Sequence, residues 1–242
     1  MNELTGGHIV RAYNKELRSV NELVEQLGEL GREQLHRAVE SLQAGDTKTA
    51  GEVIDRDRDL NDLDVQADEE IIRLIAKRQP MAKDLRDILT VQKMVCDLER
   101  VGDEARKVAR LTIHFYDQDK HPPGNQMLLD IYKMAEYVDS MLRESLEAFK
   151  QLDLEKALAV IHEHDRLDEE YRAALRRLST FVMEDSRNVG YMVDVTLTLR
   201  ALERIGGHAK NVAGHVIFLI TARDVRHESL ATIRAEILTN RG

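Results

Sequence analysis

The sequence predicts an all-α fold of two tandem, pseudo-symmetric antiparallel three-helix bundles with an elongated shape. Three observations support this prediction: an internal repeat, few helix breakers, and a low content of residues typical of β-sheets. Only three prolines occur among 242 residues, tryptophan is absent, and aromatic residues make up 4%. Sandwiches and barrels rely on aromatic and β-branched side chains, whereas long stretches without proline permit long helices.

The internal repeat is clearest in one twelve-residue segment that occurs twice. Residues 98–109 (LERVGDEARKVA) and 202–213 (LERIGGHAKNVA) are identical at seven of twelve positions. A repeat of this kind indicates that one helical unit was duplicated, and three long helices with short connections form a bundle. We therefore expect a first bundle over residues 1–120 and a second over residues 121–242.

Breakers and capping residues divide the chain into six helices. Gly45 ends the first helix, Asp46 is suited to cap the second, and Pro80 interrupts the chain after it. Residues 122–124 (Pro-Pro-Gly) form a linker at mid-chain, and Asp153 is suited to cap the fifth helix. The predicted helices span about residues 8–43, 46–78, 83–118, 126–151, 153–183 and 187–222, with a shorter tail helix after residue 226.

Composition excludes several classes of protein. The net charge of −9 argues against a general nucleic-acid binder, which needs clustered basic residues. The most apolar run, residues 216–220, is far shorter than the roughly 20 residues that cross a bilayer. The single cysteine, Cys96, excludes a disulfide framework, and the N-terminus shows no secretory signal, so we expect a cytoplasmic protein. No phosphate-binding glycine loop or dinucleotide motif is present, so an enzyme is not expected.

Two adjacent rims of the predicted first bundle concentrate acidic and amide side chains. On the second and third helices these are Asp57, Asn61, Asp64, Asp68, Glu99 and Asp103. Like charges one turn apart destabilise a helix, and carboxylate and amide oxygens are ligands of hard and borderline metal ions. The pattern therefore suits a metal site. The commoner explanation of such a pattern is that arginines neutralise the acids in solvated ion pairs, here Arg58, Arg106 and Arg110.

The second half contains an altered copy of this acidic group. His164 stands at the position of Asp57, and Gly207 replaces Asp103. The second group is either a weaker or softer metal site or no metal site. Its candidate ligands are His164, Asp168, Glu203 and His208.

Glycine occupies one register in both copies, at Gly102 and Gly206. Because glycine inside a helix costs about 1 kcal/mol relative to alanine, these positions indicate either close helix approach or space beside the glutamate.

The chain resembles the PhoU family of phosphate-transport-system regulators. The resemblance depends on the repeated Leu-Glu-Arg-(Val/Ile)-Gly segments together with two loop motifs. They are Lys77-Arg78-Gln79-Pro80 with Asp84-Leu85-Arg86, and Met183-Glu-Asp-Ser-Arg187. The resemblance runs from about residue 8 to residue 227. It implies two symmetric three-helix bundles, a homodimer, and a cytoplasmic, non-catalytic negative regulator of the phosphate response.

The resemblance also implies partners and cofactors. Family members are thought to bridge the ATPase subunit of the phosphate ABC transporter and a membrane sensor histidine kinase, limiting phosphate uptake through peripheral contact with membrane complexes. Some carry clusters of iron, zinc or another divalent or trivalent metal ion on (Glu/Asp)-x-x-x-Asp motifs. Here the motif is present at Glu99–Asp103 and Asp64–Asp68 and is broken at Glu203, since position 207 is glycine.

Arg86 and Arg187 occupy matching loops at the start of the third and sixth helices, and we interpret them as partner contacts because guanidinium groups present several donors to carboxylates. The alternative is that each arginine stabilises its own bundle end. At the level of function, two alternatives to the regulator stay open: a metal store or metal-dependent enzyme, and a companion of a low-affinity phosphate permease.

Overall fold

The computed structural model describes the backbone of residues 3–116 and 123–225 and the side chains of residues 15–116 and 123–225. These residues form six long helices and one 3-10 turn, with no strand among them. The elements are α1 (Glu3–Ala44), α2 (Thr47–Arg78), α3 (Lys83–Tyr116), α4 (Asn125–Gln151), α5 (Leu154–Glu184), the 3-10 turn (Ser186–Asn188) and α6 (Val189–Thr221). The all-α prediction is confirmed, while the expected tail helix lies outside the described residues.

Local signals set the helix ends where the sequence predicted them. The Asp46 carboxylate accepts hydrogen bonds from the backbone N–H groups of Lys48 and Thr49, and it caps α2. The carboxylate of Asp153 caps α5 in the same way. Gly45 has φ of +67° in the turn between α1 and α2, a conformation that favours glycine.

The six helices pack as two bundles that share a broad contact. Helices α1, α2 and α3 contact one another, as do α4, α5 and α6. Across the two sets, α3 packs on α6 and α1 packs on α4, whereas α2 and α5 each contact only the long helices of their own set. Buried apolar residues of all six helices form one continuous core. None of the described helices combines the length and the apolar character that a bilayer-spanning segment requires.

The repeated glycines allow close helix approach in both bundles. A Cβ atom at Gly102 would overlap the side chain of Leu60 from α2, and one at Gly206 would overlap Leu167 from α5. Leu60 and Leu167 are themselves repeat equivalents, and both are buried. Each bundle therefore uses the same leucine-on-glycine contact to bring its second and third helices together.

Candidate functional site

In the first bundle, one arginine binds two of the predicted acidic ligands. The guanidinium of Arg106 donates to the buried carboxylate of Asp57, and its Nη2 lies 2.6 Å from Oδ1 of Asp103. Arg100 approaches the other Asp103 oxygen at 3.6 Å. In this half the structure therefore forms the ion pairs that the sequence left open as the alternative to metal binding.

The remaining first-half acids are spread along the rim. Gln92 donates to Asp68 at 3.3 Å, and Asn61 is exposed. Burial raises the pKa of Asp64, as does the neighbouring Asp68, and burial also raises the pKa of Glu99. Within residues 15–116, these carboxylates do not bring three ligand atoms within 4.8 Å of one another.

The second bundle does bring three candidate ligands together. His164 and Asp168 lie one turn apart on α5 and face Glu203 on α6, with one ligand atom of each within 4.8 Å of the others. Among the described residues, these three side chains are the group of histidine and carboxylate residues whose ligand atoms are close enough together to hold one metal ion. An imidazole and two carboxylates form a donor set that suits zinc or iron.

Two atoms of this group are buried without a hydrogen-bond partner. They are Nδ1 of His164, which lies 3.9 Å from the carboxylate of Asp168, and Oε2 of Glu203. Arg200 approaches that Glu203 oxygen at 3.1 Å, but without the angle of a hydrogen bond. Buried polar atoms are nearly always satisfied, so a cation or a water at this point would complete the cluster.

Burial shapes the protonation of the cluster. It lowers the pKa of His164, as does the nearby Lys210, and this favours the neutral imidazole that binds metals. Burial raises the pKa of Glu203, and the neighbouring Arg200 offsets this only in part. Gly207 leaves space beside the imidazole, since a Cβ atom there would lie 3.8 Å from Nε2 of His164. We refer to His164, Asp168 and Glu203 as the α5–α6 cluster.

The fourth residue predicted for this site, His208, lies elsewhere. Its Nδ1 is 2.9 Å from the carboxylate of Asp97 on α3, which also accepts a hydrogen bond from Asn211 and lies 3.1 Å from Nε2 of His215. Burial raises the pKa of Asp97, but the hydrogen bonds from His208, His215 and Asn211 outweigh it and hold that pKa well below its usual range.

Sequence reasoning did not identify this polar cluster between the two bundles. The only signal for it was the spacing of His208 and His215, two turns apart on one side of α6. The residue that joins them, Asp97, comes from the other half of the chain.

The two loop arginines differ in their surroundings. Arg86 contacts the carboxylate of Asp87 and lies over the ring of Phe218, with its guanidinium carbon 5.6 Å from the ring centre. The Arg187 side chain is 90% exposed and bonds only locally to Asp185, among the contacts that the structure describes. Arg86 therefore helps to pack α3 on α6, whereas Arg187 is exposed to solvent.

Comparison with known proteins agrees with this architecture. The sequence model of the PhoU domain matches residues 24–112 and 131–216. A protein from Pseudomonas aeruginosa, named phosphate-specific transport system accessory protein PhoU homolog, is 39% identical to this chain over 235 residues. The alignment covers 97% of this chain and 96% of that protein. It is 32% identical over 220 residues to the accessory protein PhoU of Escherichia coli K12, covering 91% of this chain and 90% of that protein.

Solved structures show the same fold. The crystal structure of PhoU from Pseudomonas aeruginosa aligns with a TM-score of 0.81 at 38% identity, covering 87% of this chain and all of that one. The phosphate transport system regulatory protein PhoU from Streptococcus pneumoniae aligns with a TM-score of 0.78 at 22% identity, covering 88% of this chain and 99% of that one. On the domain match and the near full-length identity, this chain belongs to the PhoU family.

Proposed function

We propose that this chain is a non-catalytic accessory regulator of a phosphate transport system. The observation that supports the proposal most strongly is its 39% identity, over nearly its whole length, to a relative named as an accessory protein of that system. We propose further that it acts in the cytoplasm as a homodimeric adaptor. In this role it would link the ATPase subunit of the phosphate ABC transporter to a sensor histidine kinase and limit phosphate uptake.

The exposed guanidinium of Arg187 supports a role in docking. A fork of donors on a solvent-exposed side chain can pair with a partner carboxylate at little desolvation cost. Arg86 is partly covered by Phe218, so its contribution to docking would be smaller than that of Arg187.

The test is the phosphate response of cells that carry the Arg86→Ala/Arg187→Ala variant in place of the wild type. We expect a folded protein and high expression of phosphate-starvation genes in phosphate-rich medium. Arg58→Ala/Arg172→Ala is the matched control, because it removes one exposed arginine from each half. Full repression by the Arg86/Arg187 variant would contradict the docking role of these arginines.

A second candidate function, metal binding, is favoured by the unpartnered atoms of the α5–α6 cluster. His164, Asp168 and Glu203 would hold the ion, which would add positive charge between two helices and tie them together. Elemental analysis of protein purified without chelators should find metal in the wild type and lose it in Glu203→Gln. The first-half variant Glu99→Gln is the control and should retain the metal. No metal in the wild type, or equal content in both variants, would contradict a site at this cluster.

A further inference from the structure

The contact between α3 and α6, which we call the seam, has two ends that the repeat makes equivalent. One end is filled by Asp97 and its three donors on α6. At the offset of 104 residues, Ala201 takes the position of Asp97, and Glu104, Lys107 and Leu111 take those of His208, Asn211 and His215. The second end therefore lacks the polar cluster, and a cleft of about 380 Å³ opens there between α3 and α6.

The open end of the seam combines an apolar floor with a basic rim. Ala201, Leu111 and Leu197 contribute the apolar part. The charged side chains that line it are four basic residues and two acidic ones, namely Lys107, Arg110, Arg200, Arg204, Glu104 and Asp194. Arg200 also lies 3.1 Å from Glu203, just outside the cleft. The basic side chains still outnumber the acidic ones here, whereas the whole chain carries a net charge of −9.

A buried carboxylate holds part of the basic rim in place. Glu104 is 2% exposed, and its two oxygens lie 2.8 Å from Lys107 Nζ and 3.2 Å from Arg204 Nε. A second contact also joins α3 to α6, because His114 Nε2 lies 3.0 Å from the carboxylate of Asp194. Lys107 and Arg204 are therefore held in place before any partner arrives, which reduces the entropy that binding must overcome.

An exposed apolar stripe continues from the cleft along α6. Val189, Val193 and Leu197 are spaced by one turn each on one side of the helix, and all three are exposed, Leu197 by 64%. The stripe begins two residues after Arg187, the arginine interpreted above as a partner contact. Contiguous exposed apolar surface with a polar rim is typical of a protein-binding site.

We propose that the open end of the seam, with the Val189–Leu197 stripe, binds an acidic amphipathic helix of a partner protein. This inference rests on the proposed adaptor function and identifies the chemistry of the docking segment. Apolar side chains of the partner helix at i, i+3 or i+4 and i+7 would lie on the stripe and enter the cleft. Its carboxylates would pair with Lys107, Arg110, Arg200 and Arg204, whose long-range attraction also speeds encounter.

The test measures binding of the intact chain to two purified probes from the same organism: the transporter ATPase subunit and the cytoplasmic region of the sensor kinase. We expect at least one probe to bind the wild type. Leu197→Asp and Arg110→Glu should each weaken that binding about tenfold or more, as at an interface hot spot. Raising the ionic strength should weaken the wild type more than Arg110→Glu, because the lost attraction is electrostatic.

The matched controls lie on α2, which does not contact α6. Ile72→Asp changes an apolar residue with the same 64% exposure as Leu197, and Arg73→Glu reverses an exposed arginine. Both controls should bind like the wild type, and all four variants should keep the wild-type circular dichroism spectrum.

Three outcomes would overturn the inference. If a probe binds the wild type and both seam variants equally, the docking surface is wrong while the adaptor function stands. If neither probe binds the wild type, the adaptor function fails and the inference fails with it. If Leu197→Asp dissociates a dimer of this chain and leaves probe binding unchanged, the stripe binds a second copy instead.

Discussion

Buried and half-buried carboxylates in this protein differ in what compensates their charge. Asp57 has the guanidinium of Arg106, although burial still raises its pKa. Asp97 has three donors, and its pKa is held low. Glu203 has a buried oxygen without a hydrogen-bond partner, and burial raises its pKa. Uncompensated buried charge is costly, so Glu203 is the carboxylate that gains most from a bound cation.

The Asp97→Asn variant tests whether the polar cluster of the seam stabilises the fold. The amide keeps the shape of the side chain but removes one acceptor and the negative charge. We expect the free energy of unfolding at pH 7 to fall by about 2 to 3 kcal/mol, as for hydrogen bonds to a charged group. Urea unfolding measures this change. Asp139→Asn is the control, because its ion pair with Arg32 joins the two halves at a more exposed site and should contribute about 1 kcal/mol or less.

The same variant should flatten the acid side of the stability profile. The pKa of Asp97 is lowered on folding, so below its ordinary value of 3.8 the unfolded chain binds more protons than the folded one. Its contribution is therefore complete above that value and is lost as the pH falls below it. Wild-type stability should drop more steeply than that of Asp97→Asn between about pH 5 and pH 3. Parallel profiles would contradict the low pKa.

At the scale of helices, prediction succeeded where the signals are local. The Asp46 and Asp153 caps, the Gly45 turn and the break at Pro80 depend on a few neighbouring residues, and the structure confirms each of them. The hydrogen bonds between Asp97 and α6 could not be predicted in this way. They depend on how α3 and α6 align with each other, and no local sequence pattern encodes that alignment.

The metal-site prediction illustrates the same limit. Helical spacing placed the acids of each half on neighbouring rims of the predicted helices, but it could not decide which rim an arginine would occupy. Arg106 reaches across from α3 to Asp57 on α2 in the first half. Its repeat equivalent, Lys210, has no such carboxylate opposite it, because His164 replaces Asp57. The side-chain chemistry of two positions thus separates an ion pair from a candidate metal cluster.

Alanine at the glycine positions tests the close approach of helices within each bundle. Gly206→Ala should destabilise the protein, since the new methyl group overlaps Leu167 and also lies 3.3 Å from Val138. Because the added Cβ overlaps Leu167 strongly, we expect a cost in the upper part of the range of about 1 to 3 kcal/mol for overpacking. That cost exceeds the gain of about 1 kcal/mol in helix propensity. Gly51→Ala in α2 has no neighbour within 4 Å and should be stabilising. Thermal unfolding of the two variants should shift in opposite directions, and a stabilised Gly206→Ala would contradict tight packing there.

The molecule as a whole is held together across its repeat. The seam joins α3 to α6, and a Cβ atom at Gly28 of α1 would overlap Leu146 of α4, so both pairs of inner helices are in close contact. The division at residue 120 stays a prediction about evolutionary units. Because one buried core runs through both bundles, neither can separate without exposing apolar surface, and we expect the two halves to unfold together.

Equivalent core truncations in the two halves test this cooperativity. Leu60→Ala and Leu167→Ala each remove a buried side chain from one bundle and should cost about 2 to 5 kcal/mol. At roughly 2 to 4 °C per kcal/mol for a chain of this size, each should lower one shared calorimetric transition by several degrees, with equal van't Hoff and calorimetric enthalpies. Leu129→Ala, at an exposed position of α4, should leave it nearly unchanged. Two transitions, of which each core variant moves only one, would mean that the seam and the α1–α4 contact are too weak to couple the bundles. A partner that binds one bundle would then be unable to change the stability of the other bundle through the shared core.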